Sequence, residues 1–115
     1  MSELMELTET REGVTLVVAP QGRLDAHSTA GFEVRLLACI DAGERSILLD
    51  CSRLDYISSI GLRTLLSAAK RLSQGGGRLA LCAVTDNVRE VFSVSGFDTI
   101  LEIHPDAGTA LVSLA

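Results

Sequence analysis

Ser46 to Cys51, Ser-Ile-Leu-Leu-Asp-Cys, is a continuous apolar strand of the kind found at the centre of a sheet covered on both faces. Downstream of it, Leu62, Leu65, Leu66, Ala69 and Leu72 recur at three- and four-residue spacing, the period of a helix with one buried face. The next apolar run, Arg78 to Val84, reads again as a strand. A central strand, an amphipathic helix and a second strand in succession require a crossover, which is right-handed and leaves the two strands parallel.

The flanking segments extend the pattern. Leu4 to Thr8 and Val14 to Ala19 read as an antiparallel pair around Arg11-Glu12-Gly13, whose glycine and charges suit a hairpin turn. Pro20 and Gly22 read as turn punctuation, after which Ser28 and Thr29 can cap a helix carrying Phe32, Leu36, Leu37 and Ile40 and ending at Gly43. Gly75-Gly76-Gly77 stops the leucine-rich helix and turns the chain back. Asp86 or Asn87 opens a third helix with Val88, Val91 and Phe92 on one face, Asn87 and Glu90 at capping-box spacing, and a stop near Gly96. A short strand at Thr99 to Ile103 and a short helix opened by Pro105 and Asp106 complete the chain. The order predicts one α/β domain over residues 1–115. Its sheet is mixed but mostly parallel, with about four to five strands, an antiparallel N-terminal edge and about four helices.

Composition removes several functions. A net charge of −5 disfavours nucleic acid, which needs clustered Lys and Arg, and three Phe, one Tyr and no Trp offer little for base stacking. Cys39, Cys51 and Cys82 are odd in number, far apart and set in apolar segments, so they read as buried free thiols in a reducing compartment. The acidic opening MSELMELTET lacks the regions of a signal peptide, and no apolar run reaches the roughly 18 residues of a membrane span, which together predict a cytoplasmic protein. His27 and His104 have only Asp25 and Asp106 nearby, so no metal site is expected. The glycine run lacks a preceding strand and a following Lys-Ser or Lys-Thr pair and is no phosphate loop. With no GxSxG elbow either, no catalytic residue and no cofactor are expected.

What chemistry remains gathers after Asp50. A polar loop there leads to Ser58 and Ser59 at the start of the leucine-rich helix, where the first N–H groups lack partners and the macrodipole favours negative charge. The position suits a helix cap, the usual role of a serine there, and also a serine that receives a phosphate. Asp25 and Asp50 each follow an apolar stretch and can reach the same sheet edge, or serve only as turn residues. Arg63, Ser67, Lys70 and Arg71 form a basic stripe opposite the leucines, next to the serines, suited to steering an acidic partner or simply solvated.

Three blocks of the sequence resemble the STAS domain family, in particular the bacterial anti-sigma factor antagonists. GRLDAHSTAGFE, Gly22 to Glu33, is similar to the family's GxLDxxTA segment, and DCSRLDYISSIGLRTLL to its DLSxVxxIDSSGLxxLL signature. TDNVREVFSVSGF resembles the later helix, where Val and Phe precede a Ser-Gly pair. The family's Asp-Ser-Ser-Gly-Leu falls on Ser58, Ser59, Ile60, Gly61 and Leu62, so Ser59 takes the phosphoacceptor position while Ser58 replaces the aspartate and Ile60 the second serine.

The resemblance implies partner switching. The unphosphorylated domain binds an ATP-dependent anti-sigma factor serine kinase, phosphorylation at Ser59 ends the contact, and a metal-dependent serine phosphatase restores it. Asp25, Ser58, Ser59, Gly61, Arg63 and Ser67 would belong to the docking surface. The alternatives are a STAS subunit docking within a membrane lipid or anion transport assembly, and a nucleotide-binding regulatory domain.

Overall fold

The computed structural model describes residues 6–115. Strand β1 (Glu6–Glu12) and strand β2 (Thr15–Leu24) form the expected antiparallel hairpin, in register from Glu6 opposite Gln21 to Glu12 opposite Thr15. Leu4, in the expected first strand, lies outside the described residues. The chain continues through helix α1 (Thr29–Asp41), strand β3 (Ser46–Asp50), strand β4 (Leu54–Ile57), helix α2 (Ser59–Gln74) and strand β5 (Arg78–Cys82). Helix α3 (Asp86–Ser95), a 3₁₀ turn (Phe97–Thr99), strand β6 (Glu102–His104) and helix α4 (Ala107–Leu114) follow.

The sheet order is β1-β2-β3-β5-β6, antiparallel only at β1-β2, with β4 added beside the far end of β2. β2 therefore has two successive parallel partners. Leu16 to Val18 pair with Ile47 to Leu49 of β3, and Gly22 to Leu24 pair with β4, with a register shift at Gly22/Arg23. Pro20 falls between these two paired stretches, where its missing N–H removes no bond on that side. Gly22 adopts φ +103°, a left-handed conformation that glycine tolerates. The two residues expected to break the chain into a turn lie inside a ten-residue strand.

Two cores explain the continuous apolar character of β3. Ile47 and Leu49 face α1, α2 and α3, whose Phe32, Leu36, Ile40, Leu62, Leu65, Leu72, Val88 and Phe92 are buried together. Leu48 faces the other way, with Ala80 and Cys82, under Ala110 and Leu114 of α4. Cys51 and Cys82 are buried, but Cys39 is only half-buried, contrary to the expectation for all three thiols.

Helix α3 begins at Asp86 as expected, but its cap and the last strand differ from the sequence reading. Thr85 precedes α3, and its hydroxyl donates to the Leu54 carbonyl of β4 at 3.0 Å, so Asn87 and Glu90 lie inside the helix and form no capping box. The 3₁₀ turn occupies Phe97–Thr99, which leaves β6 shorter and later than the expected strand. The other ends agree: Gly96 is left-handed at the end of α3, and Asp106 caps α4 by accepting the Thr109 N–H at 2.7 Å.

Candidate functional site

The pairing of β2 with β4 brings Asp25 to the serines. Leu24 lies opposite Ile57, and the Ser58 N–H donates to the Leu24 carbonyl at 2.8 Å, so the end of β2 and the start of α2 are joined by backbone. Gly61 permits this closeness. It is buried, and a Cβ there would stand 2.8 Å from Ile57 Cγ1, 3.2 Å from Leu24 Cβ and 3.3 Å from the Leu24 oxygen. Its place is therefore under the site, shaping it, and not on its face.

The two serines do different things. Ser58 is the cap: its backbone is extended and its side chain accepts the Gly61 N–H at 3.2 Å. Ser59 is the first helical residue and is exposed, and among the described residues its hydroxyl has no hydrogen-bond partner. Capping, one of the two uses open to the pair, is thus taken by Ser58 and leaves the Ser59 hydroxyl available.

Asp25 organises the corner between β2 and α1. Its Oδ1 accepts the N–H groups of His27 at 2.9 Å and Ser28 at 3.2 Å, bonds that hold its carboxyl below the ordinary value. Ser28 donates to the Arg23 carbonyl and Thr29 to the Asp25 carbonyl, so the hydroxyls expected to cap α1 tie the loop instead. Arg23 lies 4.3 Å from the centre of the Tyr56 ring on β4, and its Nε is 3.7 Å from Asp25 Oδ2. Asp50 stays out of this group; its Oδ1 accepts the Ser52 N–H at the turn before β4.

Along α2, Arg63 and Ser67 are exposed and follow Ser59 at four-residue steps. Arg71 departs from the expected stripe, because its guanidinium pairs with Asp41 of α1 at 2.8 Å. Ser59 also lines a shallow cleft of about 410 Å³ between α2 and α3, together with Leu62 of α2 and Glu90, Val91 and Val94 of α3. Val94 is 84% exposed and Ile60, beside Ser59, 48%.

Arg23, Tyr56, Ile60 and Val94 were not singled out from the sequence. Ile60 and Val94 carried a usable signal, since each is apolar but out of phase with the buried stripe of its helix. Among the described residues no three His, Cys, Asp or Glu side chains group as metal ligands, and no helix is long and apolar enough to cross a membrane.

An α/β sheet of this order, with an exposed serine at the start of α2, places the molecule in a known class: the STAS domain model matches residues 7–110, and the chain belongs to that family. It is 43% identical over 99 residues to the Bordetella bronchiseptica protein BtrV, which bears the name of an anti-sigma factor antagonist, covering 86% of this chain and 85% of that one. It is 30% identical over 107 residues to an anti-sigma F factor antagonist of Paenibacillus polymyxa, covering 92% and 91%. The structure of an anti-sigma factor antagonist from Mycobacterium paratuberculosis superposes with a TM-score of 0.87 at 19% identity, over 96% of this chain and 93% of the other, a likeness of fold. Both relatives bear the name of a regulatory protein, the antagonist of an anti-sigma factor.

Proposed function

We propose that this protein is a cytoplasmic anti-sigma factor antagonist that works by partner switching, with Ser59 as its phosphorylated residue. The observation that carries the reading is the division of labour at the start of α2: Ser58 caps the helix, and the Ser59 hydroxyl stands exposed and unbonded beside it. In the unphosphorylated state an ATP-dependent anti-sigma factor serine kinase docks over Asp25, Ser58, Ser59, Arg63 and Ser67, with Gly61 keeping the surface in shape from below. That docking frees the sigma factor.

The transfer needs nothing catalytic from this chain. Ser59 Oγ forms a bond to the γ-phosphorus of ATP, the bond from that phosphorus to the bridging oxygen breaks, ADP leaves, and the hydroxyl proton passes to a base of the kinase. The product carries about −1.5 to −2 charge at the centre of the contact, which opposes docking by repulsion and desolvation. A metal-dependent serine phosphatase reverses the change: water attacks phosphorus, inorganic phosphate leaves, and the hydroxyl is restored.

The test uses wild type, Ser59→Ala and Ser59→Glu as baits in a lysate of the source bacterium. A histidine-kinase-like ATPase is expected with the first two and is lost, or bound at least about tenfold more weakly by calorimetry, with the third. Incubated with ATP, that ATPase is expected to phosphorylate wild type at Ser59 by peptide mapping. Modification at Ser58 would move the acceptor by one residue. Recovery of membrane transporter subunits by all three baits would replace the reading with docking in a transport assembly.

A further inference from the structure

Arg63 is the one basic group placed to meet a phosphate on Ser59 from the same helix. The two residues are four apart on α2, hence neighbours one turn apart on its surface, and both are exposed. The acidic group would stand N-terminal to the basic one, the more favourable orientation of such a pair.

Arg63 is also uncommitted. Its helical neighbours at three and four residues are Ser59, Ile60, Leu66 and Ser67, none of them a carboxylate. Among the described residues it takes part in no ion pair, whereas Arg71, two turns on, is held by Asp41. The cleft that Ser59 helps to line also carries Glu90 of α3, a like charge that disfavours placing a phosphate there.

We infer that a phosphate on Ser59 is held by the Arg63 guanidinium, so that modification both adds negative charge and withdraws Arg63 from the docking surface. The pair is charge-assisted and fits the planar fork of arginine better than the point charge of lysine. The inference rests on Ser59 being the acceptor, yet it concerns the phosphorylated chain alone and can fail separately.

The test is a phosphorus NMR titration of the full chain carrying genetically encoded phosphoserine at position 59, compared with the same chain bearing Arg63→Lys or Arg63→Gln. The second ionisation of the phosphate is expected about half a pH unit lower with Arg63 than with Arg63→Gln, and Arg63→Lys should fall between them. Amide spectra that superpose away from residues 59–67 establish that the variants share one fold. Coincident midpoints for Arg63 and Arg63→Gln overturn the inference, whatever the kinase does. Failure of the kinase to modify Ser59 overturns the proposed function and leaves the titration result standing.

Discussion

Three positions at the start of α2, Ser58, Ser59 and Gly61, should respond to substitution in three different ways. Ser58→Ala removes the acceptor of the Gly61 N–H and is expected to cost about 1 kcal/mol. Ser59→Ala touches an exposed hydroxyl without a partner and should change stability by less than about 0.5 kcal/mol. Gly61→Ala forces a methyl group to within 2.8 Å of Ile57 Cγ1 and against Leu24, an overpacking worth about 1–3 kcal/mol. Urea unfolding of the three variants checks the order. A cost for Ser59→Ala equal to that for Ser58→Ala would show that the cap has been assigned to the wrong serine. Because Ser59 is structurally cheap, a binding defect in Ser59→Glu can be read as an effect of charge on the docking surface and not of damage to the fold.

At the scale of elements, the run Gly75-Gly76-Gly77 that joins α2 to β5 contains three glycines with unequal reasons. A Cβ on Gly77 would collide with the carbonyl oxygen of Arg45, the same oxygen that accepts the Arg78 N–H at 2.8 Å as β5 joins β3. Gly76 has open space but φ +83°, and Gly75 has φ −93° with Arg45 Nε no nearer than 3.5 Å. Alanine is therefore expected to cost more than about 2 kcal/mol at position 77, about 1 kcal/mol at 76 and close to nothing at 75, again by urea unfolding. The sequence showed that this run ends a helix, but which glycine is indispensable depends on Arg45, more than 30 residues earlier, and could not be read locally. The same division holds elsewhere. The helices were legible because Phe32, Leu36 and Ile40, or Leu62, Leu65 and Leu72, keep the helical period. β4 was not, because its four residues include Asp55 and exposed Tyr56, and only its pairing with β2 makes it a strand. Ser58, Ser59 and Asp25 stood out by type and position, whereas Arg23 and Tyr56 enter the site only through that pairing.

Over the whole molecule, the sheet separates the thiols and ties its edge to α4, and each arrangement has a measurable result. Cys51 and Cys82 are buried in different cores, and burial raises both thiols, Cys82 to about 11. Only Cys39 should react with a disulfide reagent at pH 8 in the native state, slowly because burial and Glu9 raise its thiol too, and all three should react after unfolding. The edge is held by Glu102 of β6, which accepts from Arg78 of β5 at 2.5 Å, from His104 at 2.8 Å and from Ser113 of α4 at 3.3 Å, while Arg78 also donates to the Ser113 carbonyl at 2.7 Å. Partial burial pushes the Glu102 carboxyl up, but the bonds from His104 and Arg78 and the Arg78 charge outweigh it and hold the group below its ordinary 4.5. A carboxyl lowered by folding stabilises the native state fully above its unfolded value, and that contribution is lost as pH falls through the folded value. Asp25 and Asp106, lowered by backbone N–H bonds, act in the same direction. Glu102→Gln should therefore cost about 1 kcal/mol near pH 7, a modest figure because half of the Arg78 side chain is exposed, and should converge on wild type as the medium is acidified well below pH 4.5. Urea midpoints taken from pH 7 down to pH 3 would show the two curves closing; curves that stay parallel would mean that the contribution of the Glu102 bonds does not depend on its charge.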